Sequence, residues 1–256
     1  MTDPAGVVPS RPSVTLPPLA SPVDELWHVL LDLAEQLTVP WTIVGGQMVL
    51  LHALEHGRVP PQVSQDGDVL ADVRATAGAI RAVVTALETA GSDVDGMSPT
   101  YLAHRYVRRG TMRPVTVDVL APEGLGPRAD LTTTRPGRTL EVPGGTQALD
   151  RTELIEVRHD GRTGTLPRPS LLAATVGKAA ACGLPGNTDR HHRDLALLYA
   201  LIPDPFAMRQ QFTPRDSKRL RTAGQLRDPR HSGWMLVPAD IHDQGRQAYE
   251  ILCSNG

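Results

Sequence analysis

The sequence predicts an α+β protein, in which a mixed sheet with flanking helices is followed by a C-terminal helical region. Two observations support this fold class. Between residues 21 and 168, segments with helical periodicity alternate with short strand-like apolar runs, whereas from residue 169 onward helical patterns dominate. We therefore expect an α+β domain at 21–168 and a helical domain at 169–256.

The first domain is predicted to alternate helices and strands. Ser21 and Pro22 are suited to the start of a helix, and Gly57 to the end of another. Asp160-Gly161 is a typical two-residue hairpin turn between apolar runs, and residues 121–150 are expected to be irregular. Helices are predicted at 22–37, 47–57 and 76–91, and strands at 41–46, 66–73, 102–109 and 113–120.

The second domain is predicted to contain only helices. Two of them carry apolar faces, and Pro203 closes the second. Thr213 and Asp216 have the spacing of a capping box at the start of a third. The expected positions are 169–183, 189–202, from 213 onward, and 238–252.

Hydropathy, cysteine spacing and net charge exclude several classes of protein. No apolar run is long enough to cross a membrane, and residues 1–20 lack the basic and apolar regions of a secretory signal. Their proline and serine content predicts a disordered leader. The two cysteines, Cys182 and Cys253, are not spaced as a zinc site or a disulfide framework, so we expect a cytoplasmic protein. The net charge of -2 does not indicate a general nucleic-acid coat.

Three aspartates on predicted strands form the candidate metal site. Asp66 and Asp68 are two residues apart, so both point to one sheet face, and Asp118 has apolar neighbours in a second strand. Carboxylates that share a sheet face repel each other unless a cation such as Mg²⁺ lies between them. The alternative is that Asp66-Gly67-Asp68 forms a polar turn.

Two glycines at a strand-to-helix junction are the candidate phosphate site. Gly45 and Gly46 would let backbone N–H groups approach a phosphate at the start of a helix. Ser64 offers a hydroxyl for the same purpose. A tight turn without a ligand is the alternative for the glycines, and a loop cap is the alternative for Ser64.

Taken in order, these motifs resemble the polymerase-β-type nucleotidyltransferase superfamily. The segments VGGQMVLLHAL, QVSQDGDVLADV, LLAATVGKAAA and HHRDLALLYAL are similar to its AbiEii-type branch, over roughly residues 41–202. That branch contains toxins of type IV and related toxin–antitoxin systems. The resemblance implies a nucleotidyltransferase fold in which Asp66, Asp68 and Asp118 hold Mg²⁺ or Mn²⁺.

The resemblance also implies roles for residues around the metal. Gly45, Gly46, Ser64 and Lys178 would bind the triphosphate of an NTP, and Asp194 would orient Lys178 or touch the nucleotide. The alternatives are a surface lysine whose ammonium reaches solvent and an acid in the first turn of a helix. Gly67 departs from the family, which usually has a bulky apolar residue there, and we expect it to leave a gap that loosens the strand.

The implied function is transfer of a nucleotide from an NTP to an acceptor hydroxyl. The acceptor would be an RNA such as tRNA, and a cognate antitoxin would restrain the enzyme. The alternatives are modification of a small molecule such as an aminoglycoside, and a degenerate module that only binds nucleotide or protein. The basic segment 209–230 favours RNA, although a solvated helix face would have the same composition.

Overall fold

The computed structural model describes residues 12–110, 113–186 and 188–253. The strands are β1 (Ser13–Thr15), β2 (Trp41–Val44), β3 (Asp66–Ala71), β4 (Asp93–Val94), β5 (Arg105–Arg108), β6 (Val115–Pro122), β7 (Leu140–Val142), β8 (Thr152–His159) and β9 (Arg162–Pro169). The α-helices are α1 (Val23–Gln36), α2 (Gly45–Glu55), α3 (Ala79–Thr89), α4 (Gly145–Asp150), α5 (Leu171–Cys182), α6 (Asp189–Ala200), α7 (Pro205–Arg209), α8 (Pro214–Leu220) and α9 (Ala239–Cys253). Short 3₁₀ helices cover Arg221–Arg227 and Ser232–Trp234.

The larger sheet is mixed and has the order β2-β3-β6-β5-β4, with β7 added along β6. β3 and β6 are parallel, while β2–β3, β5–β6 and β4–β5 are antiparallel. Helices flank the sheet, so the predicted α+β class with a mixed sheet is confirmed. The parallel pair matters most for the site, because its register sets Asp68 opposite Asp118.

Several local predictions need correction. Residues 121–150 are not wholly irregular, because they contain β7 and α4. The third helix begins at Ala79 rather than Thr76, and Gly78 at its N-cap has φ +83°. Asp66-Gly67-Asp68 is strand rather than turn, which removes that alternative.

The smaller sheet has the order β1-β8-β9 and corrects part of the expected leader. Residues 13–15 form β1, which pairs in parallel with β8 and buries Val14. The disordered leader predicted at 1–20 is therefore wrong for these residues, because the apolar Val14 finds a sheet edge to pair with; residues 1–11 lie outside the described part. The hairpin turning at Asp160-Gly161 is confirmed, with φ of +44° and +75° as a type I′ turn requires.

From Leu171 to Cys253 the described residues contain helices and turns only. The capping box of Thr213 and Asp216 is confirmed. One hydrophobic cluster runs from Val14 to Leu252 and joins these helices to the sheet layers, while the boundary proposed at 168 stays a prediction. None of the described helices has the length and apolar character needed to span a membrane.

Gly67 does not leave the gap predicted from the sequence. It is buried in β3 and faces Leu26 of α1, and a Cβ on Gly67 would lie 2.9 Å from Cδ1 of Leu26. The space that a larger side chain would fill is thus already occupied by Leu26. The strand is packed at this point, so the loosening predicted from Gly67 is wrong.

We expect Gly67→Val to lower the free energy of unfolding by about 1–3 kcal/mol, because the added isopropyl group overpacks the contact with Leu26. Chemical denaturation measures the loss. The double variant Gly67→Val/Leu26→Ala should recover part of it, since the shortened side chain makes room. A single variant as stable as the parent would show that the contact is loose.

Candidate functional site

A cleft of about 570 Å³ opens beside the β3–β6 pair, within the size range of small-ligand sites. Its lining comes from the β2–α2 junction, the loop at 60–64, the central strands and helices α4 to α6. The sequence-predicted residues that line it are Gly45, Gly46, Ser64, Asp68, Asp118, Lys178 and Asp194. Seven of the eight residues singled out from the sequence therefore share one cavity.

Asp68 and Asp118 are direct neighbours on parallel strands. Adjacent strands lie about 4.8 Å apart, and residues in register point to the same sheet face. Asp68 is half-buried and Asp118 is buried, with 9% of its surface exposed. Two carboxylates are thus held side by side in a place where water screens them poorly.

Asp66 is the exception among the predicted site residues. It is the half-buried first residue of β3 and is not part of the cleft lining. Within the described residues, the groups of three potential ligands whose atoms converge within 4.8 Å do not include Asp66, Asp68 and Asp118 together. The carboxylates of these three aspartates therefore lie along the strands and do not converge on one point.

Arg105 accounts for the orientation of Asp118. Its Nε and Nη2 donate to the two carboxylate oxygens of Asp118, each over 2.9 Å. Arg105 is opposite Asp118 in the β5–β6 register, and the hydrogen bonds and charge of the pair raise the pKa of the guanidinium above its usual range. Both oxygens of Asp118 thus face a guanidinium, which occupies the position a cation would otherwise take.

Burial raises the pKa of Asp68 from 3.8 to about 6, and the nearby Asp118 carboxylate adds to the effect. Lys178 and Arg190 lower this pKa but do not cancel the two larger causes. The basic side chains of the protein therefore do not fully offset the cost of an ionised Asp68 carboxylate. This is the electrostatic condition that a bound divalent cation would relieve.

We expect Asp68→Asn to stabilise the metal-free protein by about 2 kcal/mol above pH 6, because the amide removes the cost of a buried charge. The folded-state pKa is raised, so the cost is absent below about pH 4 and complete above about pH 6. Thermal unfolding in EDTA at pH 4 and pH 8 measures the difference. An equal shift at both pH values would exclude the electrostatic cause.

The two glycines are explained by close packing. A Cβ on Gly45, whose φ is +69°, would lie 1.8 Å from Oδ2 of Asp68, and a Cβ on Gly46 would lie 2.3 Å from Cβ of Ser64. Gln47 holds the same loop, because its Nε2 donates to the carbonyl of Ser64 over 2.7 Å. The junction between β2 and α2 therefore lies directly against the acid and the hydroxyl that line the cleft.

Lys178 and Asp194 form an ion pair across α5 and α6, with Nζ 2.5 Å from Oδ2. The lysine side chain is only 7% exposed, so the alternative of a surface lysine is wrong. Asp194 lies in the second turn of α6, which begins at Asp189, so it is not a first-turn acid. The pair places one ammonium at the cleft, where it can be shared with an anionic ligand.

The cleft lining also includes basic and histidine side chains, at positions 104, 105, 190, 191 and 193. Burial, together with Lys178 and Arg190, lowers the pKa of His191 to about 4, so its imidazole is neutral near pH 7. A run of basic and histidine side chains before Asp194 is a weak sequence signal for Arg190 and His191, whereas Arg105 lies on a separate strand. His192 in that run is buried, packs against His231 and is not part of the cleft lining.

The basic segment 209–230 lies apart from this cavity. None of its residues lines the cleft, and Arg219 is paired with Glu123. The exposed members are Arg215, Lys218, Arg221, Arg227 and Arg230. The basic composition of this segment is therefore no evidence that it belongs to the site.

No family model and no curated protein matches the chain in comparisons of its sequence.

Proposed function

We propose that the protein is a metal-dependent nucleotidyltransferase that moves a nucleotide from an NTP to an acceptor hydroxyl. The observation that carries the proposal is the pair of carboxylates, Asp68 and Asp118, in register at a cleft that also contains a glycine-rich helix start and a lysine. Carboxylates supply metal ligands, and the glycines and lysine suit phosphate. Metal-dependent transfer of phosphoryl and nucleotidyl groups uses both halves together.

The donor set suits a hard divalent cation. Asp68 and Asp118 offer only oxygen ligands, and burial together with the neighbouring Asp118 carboxylate raises the pKa of Asp68, so an added cation would favour its ionised form. Mg²⁺ or Mn²⁺ would be held by these two residues, with Asp66 as the third candidate. A bound ion of this kind would neutralise phosphate charge and favour attack by an acceptor hydroxyl.

The protein's own groups have separable tasks in this proposal. Lys178, held by Asp194, would contact the triphosphate as a point charge. The backbone at Gly45 and Gly46 would approach the same phosphates, with Ser64 beside it. Arg105 would leave Asp118 and meet negative charge on the substrate. Most of the rate gain would come from positioning and charge neutralisation.

RNA is the acceptor we favour. Arg190 and Arg193 line the cleft in addition to Lys178 and Arg105, which supports a polyanionic acceptor over a cationic aminoglycoside. A tRNA substrate and restraint by a cognate antitoxin remain part of the proposal through the resemblance to the AbiEii-type branch. This part of the proposal is tested by expressing the protein in cells. We expect growth arrest, and we expect the product of a neighbouring gene to relieve it.

The direct test is label transfer from each of four α-³²P-labelled NTPs to total RNA, with Mg²⁺, Mn²⁺ or EDTA. We expect label in RNA with one or two NTPs, dependent on the metal. A parallel reaction with aminoglycosides separates the small-molecule alternative. Absence of transfer to any acceptor would contradict the proposal.

A degenerate nucleotide-binding module is the second candidate, and the Arg105–Asp118 pair favours it. A guanidinium that engages both oxygens of Asp118 could replace the metal permanently. Calorimetry distinguishes the two, because such a module would bind NTP equally well in EDTA. The nucleotidyltransferase should require Mg²⁺ for tight binding.

A further inference from the structure

A second cluster of potential metal ligands lies between α1 and the tip of the β8–β9 hairpin. The ligand atoms of Asp24, His28 and His159 lie within 4.8 Å of one another. Nε2 of His159 is 3.1 Å from Oδ1 of Asp24, and the two imidazole rings have centroids 4.9 Å apart. Asp160 adjoins the group, with Oδ2 3.8 Å from Nε2 of His28.

The fold positions these four residues independently of any ligand. Asp24 and His28 are four residues apart on α1 and so share one face of the helix. His159 is the last residue of β8, and the type I′ turn then places Asp160. Arg162 fixes the hairpin tip to the helix through Asp32 and Glu35, at 2.8 and 2.9 Å. Two segments about 130 residues apart in sequence therefore meet in a fixed arrangement.

The charge of the cluster is not balanced by basic side chains. Among the described residues, neither Asp24 nor Asp160 forms an ion pair with an arginine or lysine; their partners are the two histidines. The other convergent group, His52, Glu55 and Glu153, differs in this respect. There Arg168 bonds both glutamates and already supplies the cation.

We infer that Asp24, His28 and His159 form a binding site for a zinc-class divalent ion, with Asp160 adjoining these three ligands. Two imidazoles and a carboxylate are a common zinc donor set, whereas Mg²⁺ prefers oxygen ligands alone. His159 is buried, while His28 and Asp24 are partly exposed, so the ion has one anchored ligand and access from solvent. The bound ion would link α1 to the hairpin.

This site is separate from the cleft. None of its four residues lines the cleft, and α1 packs through Leu26 under Gly67, on the sheet face opposite to Asp68 and Asp118. The inference therefore does not rest on the proposed nucleotidyl transfer. A zinc ion here would stabilise the fold and not take part in chemistry on the nucleotide.

The test uses the full chain, without an affinity tag and stripped of metal with EDTA. ZnCl₂ is titrated in competition with a chromogenic chelator, in the presence of excess Mg²⁺ to occupy the cleft. We expect one ion per chain with a Kd below about 1 µM, and a rise in Tm on binding. Failure to bind one zinc ion with this affinity would overturn the inference.

Single substitutions test which side chains bind the zinc ion. His28→Gln should weaken zinc binding at least about tenfold and remove the rise in Tm, and its partial exposure makes loss of folding a minor concern. His159→Gln should have the same effect, although its burial makes it the less secure variant. His242→Gln is the matched control, because His242 also faces an aspartate on the surface. Unchanged affinity in His28→Gln would assign the zinc to another site, such as the thiols, and refute the inference.

Discussion

Replacement of Asp68 or Asp118 by asparagine is expected to reduce the proposed metal-dependent nucleotidyl transfer by about 100- to 1,000-fold, the scale for removing a preorganised charge-stabilising group. The amide keeps the shape of the side chain but loses the charge that a divalent cation requires. The two residues are in register at the cleft, so each should be needed. The measurement is kcat/KM for label transfer with the preferred NTP.

Asp93→Asn is the matched control for these variants. Asp93 is an exposed acid on β4 of the same sheet and does not line the cleft, so its replacement should leave transfer unchanged. Asp66→Asn then decides the third ligand. A loss as large as that of Asp68→Asn would assign Asp66 to the metal, and activity near that of the parent would leave the metal to the other two. Full activity in Asp68→Asn would refute the mechanism.

Removal of the carboxylate of Asp194 is expected to have the second-largest effect, on stability as well as on function. Asp194→Leu leaves the ammonium of Lys178 buried without its partner at 2.5 Å. A fully buried unpaired charge costs about 3–5 kcal/mol, and the 28% exposure of Asp194 reduces the expected loss to about 2–3 kcal/mol. Chemical denaturation of the metal-free and nucleotide-free protein measures this loss.

The double variant Lys178→Met/Asp194→Leu separates charge from packing. With both charges gone, the free energy of unfolding should return close to that of the parent, because apolar pairs of similar volume replace buried ion pairs well. Binding of Mg²⁺–NTP should nevertheless stay weakened by about 10–100-fold, the value of a charge-assisted hydrogen bond. A double variant as unstable as Asp194→Leu would show that packing, and not charge, causes the loss.

Local features of the fold were accessible from the sequence because they depend on neighbouring residues. The hairpin at Asp160-Gly161 follows from a turn that requires positive φ at both positions. The capping box at Thr213 follows from a spacing of three residues. The shared face of Asp66 and Asp68 follows from the two-residue period of a strand. Each of these needs only a short stretch of chain.

Gly67 shows where local reasoning failed. The sequence indicates an empty place on the buried face of β3, since glycine has no side chain to fill it. Only the docking of α1 reveals that Leu26, some 40 residues earlier, occupies that place. The same limit applied to residues 13–15, which looked like part of a leader until the edge of β8 supplied a partner.

The candidate carboxylate site also has some features that follow from local sequence and others that depend on long-range packing. Residue type and local period alone predict the candidate acids, the glycines at the helix start, and Lys178 with Asp194. Long-range packing places Asp68 beside Asp118, leaves Asp66 outside the cleft, and pairs Arg105 with Asp118. These contacts could not be predicted locally, because strand order, register and ion pairing depend on distant segments, and no periodicity within one segment encodes its partner.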